Sequence, residues 1–282
     1  MSRDSTIDQM APLPAAQTLV PVADAGWLAG FGNSLGKELG DWFGTRRWWV
    51  QSLVWLALFN VGLALVLFVA PRFAAPDAHG ASGAEDPYTY GLSVFFNTVA
   101  LLGAIGIIIL TQDEIIQEKQ SGTAAWILTK PLARASFILS KLLSNVLGGL
   151  VFIVAIPGLV AYVEILLASG QAAPLLPYVQ ALMVMLLTLT FYITLSLMLG
   201  AFFEARSLVL AGTFGVLVGG LVVSQFVPNA RYILPLNMDQ IAMALMLGQP
   251  LSSPMIYQLI TAAFFSVLFT VAALWRFEDE EF

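Results

Sequence analysis

Residues able to do chemistry are few in this sequence. Asp113 and Glu114, followed by Gln117, Glu118 and Lys119, set carboxylates close together, but a metal-dependent peptidase also needs paired histidines, or a histidine with a carboxylate, as ligands. The single histidine, His79, falls in a polar connection. A carboxylate protease of the membrane, or a proton pump, needs carboxylates inside apolar runs, whereas Glu164 and Glu204 read as standing at the ends of such runs. The phosphate-cradling pattern GxxxxGK[ST] is absent. So is cysteine, which removes disulfides, thiolate ligands and a thiol nucleophile. Met238, Met243, Met246 and Met255 have the chemistry of soft copper(I) ligands, yet methionine more often fills gaps in apolar packing. The chain on its own is therefore expected to be no enzyme and to carry no metal or cofactor.

What must position these residues is a membrane. Hydrophobic residues make up 59% of the sequence and charged ones 11%, and no charge occurs between 165 and 203. Runs of about 18 or more apolar residues read as transmembrane helices. Six can be marked, at 48–70, 91–110, 137–163, 178–203, 207–227 and 255–275. They are continuously apolar rather than alternating, which favours helices over a barrel. An even number of spans puts both termini on one side. Ten of the basic residues (Arg3, Lys37, Arg46, Arg47, Lys119, Lys130, Arg134, Lys141, Arg206 and Arg276) fall on that side and two, Arg72 and Arg231, on the other. Retention of lysine and arginine on the cytoplasmic face then places both termini, and the loop 112–136, in the cytoplasm of a cell whose inner (plasma) membrane holds the chain. A net charge of −6 gives no basic surface for nucleic acid.

Residues 1–30 read as a disordered tail, without the basic start and apolar core of a secretory signal. Over 31–47, Phe31, Leu35, Leu39, Trp42 and Phe43 recur at helical spacing, with Lys37, Glu38 and Asp41 on the other side. This predicts an amphipathic helix in the membrane interface. A frayed cytosolic start to the first span is the alternative, because Gly36, Gly40 and Gly44 weaken the helix. The transmembrane domain then runs over 48–276, and 277–282 is an acidic tail. In the external segment 228–254, Asn237 is placed to cap a short helix and Gly248 to end it.

The loop between the second and third spans holds most of the interior charge. Asp113, Glu114 and Glu118 make an acidic turn, Ser121, Gly122 and Thr123 break the helix, Ala124 to Leu128 form one or two helical turns, and Pro131 stops them. Ser136 is placed to cap the third span, with Arg134 and Lys141 anchoring it among lipid headgroups. A short helix exposing Trp126, Ile127 and Leu128 suits a protein socket. A solvated amphipathic connector is the alternative.

At Glu118, Gly122, Thr123, Leu128, Pro131, Arg134 and Lys141 the sequence resembles the membrane subunits of ABC transporters, in particular the type-2 permease family of ABC exporters, whose pattern is an acidic residue, Gly-Thr, apolar residues with Leu, Pro, Arg and a later Lys. The resemblance extends over about 31–275 and departs at Ala125, where the family often carries a carboxylate. It implies an all-α polytopic fold with an N-terminal interfacial helix, a cytoplasmic coupling helix and an external helix before the last span. It also implies that Glu114, Glu118, Gly122, Thr123, Trp126, Ile127, Leu128, Pro131 and Arg134 engage a separate P-loop ATPase, which binds ATP and Mg. It further implies that such a half-transporter pairs with a second permease copy or a homologous permease.

Pro157, with Gly148 and Gly149, would let the third span bend, and Gly212, Gly215, Gly219 and Gly220 would let the fifth pack closely against a neighbour or within the subunit. Asn97, Asn145, Thr190 and Gln225 could line a cargo path; interhelical hydrogen bonds are the alternative. Two other functions stay open: a scaffold passing ATPase work to an external accessory protein through 228–254, and a secondary carrier, which ordinarily shows intramembrane ionisable groups or broken helices.

Overall fold

A computed structural model describes residues 26–73, 86–121, 132–227 and 234–278. Among the described residues there is no strand, and six helices are long and apolar enough to cross a membrane. We number the helices α1 (Phe31–Leu39), α2 (Arg47–Phe73), α3 (Pro87–Gln120), α4 (Arg134–Ser169), α5 (Leu175–Phe202), α6 (Arg206–Phe226), α7 (Met238–Met246) and α8 (Ser253–Glu278). The chain is an all-α polytopic membrane protein. Arg47, Lys119, Arg134, Lys141, Arg206 and Arg276 gather at one end of the bundle, called here the basic end.

Five of the six spans are longer than hydropathy alone marks them, α6 being the exception. α3 continues past its apolar run through a turn at Gln112 and Asp113 into Glu114–Gln120, so Glu114 and Glu118 lie one helical turn apart on a helix and not in a turn. α4 starts at Arg134 and runs to Ser169, where Gly170, at φ 71°, ends it in a left-handed conformation open to glycine. Glu164 is therefore inside a helix rather than at the end of a span. No side chain caps the start of α4, and Ser136 is buried without a partner. The chain is held there instead by the Ala133 N–H, which donates to Ala29 O at 3.0 Å.

α5 is the central post. It packs most extensively on α8, α7 and α3, and Met185, Leu189, Phe191, Tyr192 and Ile193 on it are buried. Two glycines let aromatic rings lie against helix backbone. A Cβ on Gly106 would come within 1.8 Å of the Trp55 ring, and one on Gly148 within 2.5 Å of the Trp42 ring. In α4, Gly149–Ala155 widens to π-helical turns just before Pro157, which has no N–H to return to the preceding turn. Asn60 of α2 donates from Nδ2 to Pro157 O at 3.0 Å and to Glu164 Oε2 at 3.3 Å, tying the first span to this irregular stretch. In α6, Gly212 and Gly220 pack within the chain, against Leu199 and against Leu234 and Leu236, whereas Gly215 and Gly219 face open space.

Candidate functional site

At the basic end three elements meet on a single lysine. The Lys141 side chain on α4, 3% exposed, donates from Nζ to Glu38 Oε1 of α1 at 3.1 Å and to Glu118 Oε1 of α3 at 3.0 Å. Lys37 closes the ring from outside, 2.9 Å from Glu118 and 3.4 Å from Glu38. Burial pulls the Lys37 ammonium down, but the hydrogen bond and charge of Glu118, with Glu38, outweigh it and hold Lys37 above the usual lysine range. One turn along α3, Glu114 Oε2 accepts from Asn145 Nδ2 at 2.5 Å, and the same amide donates to Lys141 O at 2.8 Å. Glu38, Asp41, Trp42, Arg47, Glu114, Gln117, Glu118 and Lys141 enclose a cavity of about 120 Å³, polar and roomy enough for water.

Several residues thus stand differently from the sequence expectation. Lys141 is no headgroup anchor: α1 covers it. Glu38 faces the bundle instead of solvent, because the inward stripe of α1 runs through Ser34 and Glu38 and continues to Trp42 in the π-helical turn after it, with Ser34 Oγ 2.7 Å from Ser140 Oγ. Trp42 stacks on Phe152 at 5.7 Å and carries the Arg47 guanidinium 4.4 Å from its ring centre. Arg134 turns to α8, where its guanidinium bonds Glu278 O and, at 3.5 Å, Phe277 O, neutralising carbonyls at a helix C-terminus. A signal for the cluster was present in the sequence: Ser136, Ser140, Lys141, Ser144 and Asn145 form a polar stripe at helical spacing at the start of an apolar span.

The last turn of α3 is fastened on its other side as well. Lys119 Nζ donates to Ala201 O at 2.9 Å and Gln120 Nε2 to Glu204 O at 3.0 Å, while Arg206 approaches Asp113 at 3.6 Å. Gly122, Thr123, Trp126, Ile127, Leu128 and Pro131 lie outside the described residues; Glu114, Glu118 and Arg134 are the flanking members of that set, and each is bonded into the bundle.

The proposed path residues do not converge. Asn145 is fully buried at the basic end. Thr190 bonds its own helix, donating to Leu186 O at 2.8 Å, and Gln225 is exposed near the far end of α6. Asn97 alone borders a far-end cavity, of about 130 Å³, together with Ala100, Leu101, Tyr192, Leu217, Leu221, Pro235, Leu236 and Asp239. α7 forms its roof: Met238, Ile241 and Ala242 are buried against α5 and α3, and Gly248, at φ 64°, ends the helix as its position predicts. Asn237 makes no side-chain cap. Asp239 takes that part, accepting from its own N–H and that of Gln240 and hydrogen-bonding Asn97; burial nevertheless raises its carboxyl above the usual aspartate value.

No curated protein matches the chain. Residues 53–281 match the family described as "Protein of unknown function (DUF2705)", a span that begins inside α2 and takes in both Lys141 and the far-end cavity. The match covers most of the chain, and the protein belongs to the DUF2705 family.

Proposed function

We propose that this chain is the membrane-spanning permease subunit of an ABC exporter, converting ATP hydrolysis by a separate cytoplasmic P-loop ATPase into movement of cargo across the inner (plasma) membrane. The basic end faces the cytoplasm in this reading, as the distribution of lysine and arginine favours. The observation that carries it is the Lys141 ring. A loop that transmits force needs rigid shoulders, and the last turn of α3, with Glu118, and the first part of α4, with Lys141, flank the loop and are joined through one buried ammonium, with α1 clamped over both. Removing one partner of such a buried pair strands charge in a poorly solvated site, so the shoulders cannot part cheaply. ATP and Mg belong to the ATPase; this chain supplies the lever, and a second copy or a similar permease completes the pathway.

The test is a photoreactive phenylalanine at position 126 in the native membrane. The expected product is a cross-link to a protein containing a P-loop, lost in Gly122→Trp and Thr123→Arg while membrane insertion persists. Cross-links to lipid alone, or products unchanged in both variants, would sink the coupling assignment. The observation that favours a secondary carrier is Glu164, an ionisable group within α4 bonded to Asn60. In that case Glu164→Gln would abolish ion-coupled uptake in vesicles lacking any ATPase; the exporter reading expects no such uptake from the wild-type chain.

A further inference from the structure

The far-end cavity is walled by apolar side chains, with Leu101, Leu217, Leu221 and Leu236 around it, and has one carboxylate, Asp239. None of the ion pairs among the described residues includes Asp239. Two other polar groups border it. Asn97 hydrogen-bonds Asp239 and stands on an exposed face of α3 with Leu101, so the cavity has a way in from the side. Tyr192 is 1% exposed and its hydroxyl has no hydrogen-bond partner. A carboxylate set in apolar surroundings, with no counter-charge beside it among the described residues, favours either a proton or a cation, and an aromatic ring beside it adds to the attraction for an alkylated ammonium. The volume, about 130 Å³, is close to that of the ~150 Å³ apolar cavity known to admit benzene. An occupant of a few heavy atoms fits.

We propose that this cavity is a binding site for a small organic ammonium group, its charge on Asp239 and its hydrocarbon part against Leu101, Leu217 and Leu236. Neither a bare inorganic cation nor a neutral apolar molecule uses both halves of the lining. A bare cation has too few oxygens here to replace its water shell, and an apolar guest brings no charge to Asp239. The site involves only this chain and does not depend on the coupling assignment.

The experiment is calorimetric titration of n-butylammonium into the full-length chain in phosphatidylglycerol nanodiscs at fixed ionic strength, with n-butanol as the neutral analogue. Saturable binding is expected, on the order of thirtyfold tighter for butylammonium than for butanol and weakened about thirtyfold by Asp239→Asn, the lower end of what loss of a buried charge contact predicts. Leu217→Trp, which fills the cavity, should remove binding while leaving the carboxylate in place. Equal affinity for both probes, or butylammonium binding unchanged in Asp239→Asn and in Leu217→Trp, overturns the proposal. Phosphatidylethanolamine added to the discs separates two sources of the same chemistry. Displacement of butylammonium identifies a lipid headgroup as the natural occupant, and its persistence identifies a free amine.

Discussion

The two ends of the bundle treat a withdrawn carboxylate in opposite ways. At the basic end Glu38 and Glu118 share the ammonium of Lys141, and the three side chains sew α1, α3 and α4 together. At the far end the partners of Asp239 among the described residues are neutral, backbone N–H groups and Asn97, beside a cavity. The same residue chemistry serves as a fastening where a counter-ion is built in and, in the site proposed above, as a receptor where none stands among the described residues. Stability should therefore be concentrated at the basic end and ligand response at the far end.

The largest break in this contrast is Lys141→Ala. It leaves Glu38 and Glu118 facing each other with only the half-exposed Lys37 between them and should cost about 3–5 kcal/mol, read as a lowered thermal midpoint in detergent. Lys141→Met combined with Glu38→Gln and Glu118→Gln removes the charges together and should recover most of that loss. Gly148→Leu comes next: a side chain there meets the Trp42 ring, and overpacking should cost about 1–3 kcal/mol and detach α1, exposing Trp42 to a fluorescence quencher. Arg134→Ala, which frees the end of α8, should cost about 1 kcal/mol. Smallest at the basic end is Lys37→Ala. Although Lys37 touches the same two carboxylates as Lys141, its side chain is 47% exposed, and loss of so solvated a pair should change stability by less than about 1 kcal/mol.

At the far end the response is to pH. Burial raises the Asp239 carboxyl in the folded chain, so across the interval between the ordinary and the raised value the folded state holds more proton than the unfolded one. This contribution to stability is present at low pH and is lost as pH rises through the folded value. Asp239→Asn should remove it. The thermal midpoint of the variant relative to wild type should rise with pH across that interval, and parallel curves would contradict the placement of Asp239.

The spans, the end of α7 at Gly248 and the helix near residue 31 were legible because each is local: apolar run length, a glycine just past a periodic stretch, spacing along one helix. The Lys141 ring was not, since Glu38, Glu118 and Lys141 come from three separated segments and each charge, taken alone, reads as solvent-facing. Amphipathic reasoning misplaced Glu38 for the same reason. It assigns Lys37, Glu38 and Asp41 to water, and Lys37 and Asp41 are exposed, whereas Glu38 had a buried lysine to meet. Glu164 was misplaced because a carboxylate ends an apolar run by composition, although α4 keeps its backbone bonds until Gly170.

The most direct test of the central claim is mild-detergent purification of the tagged, full-length chain from its native membrane, with quantification of every co-purifying protein. A lever for an ATPase predicts a P-loop ATPase in near-equal amount; its reproducible absence from folded material would contradict the account.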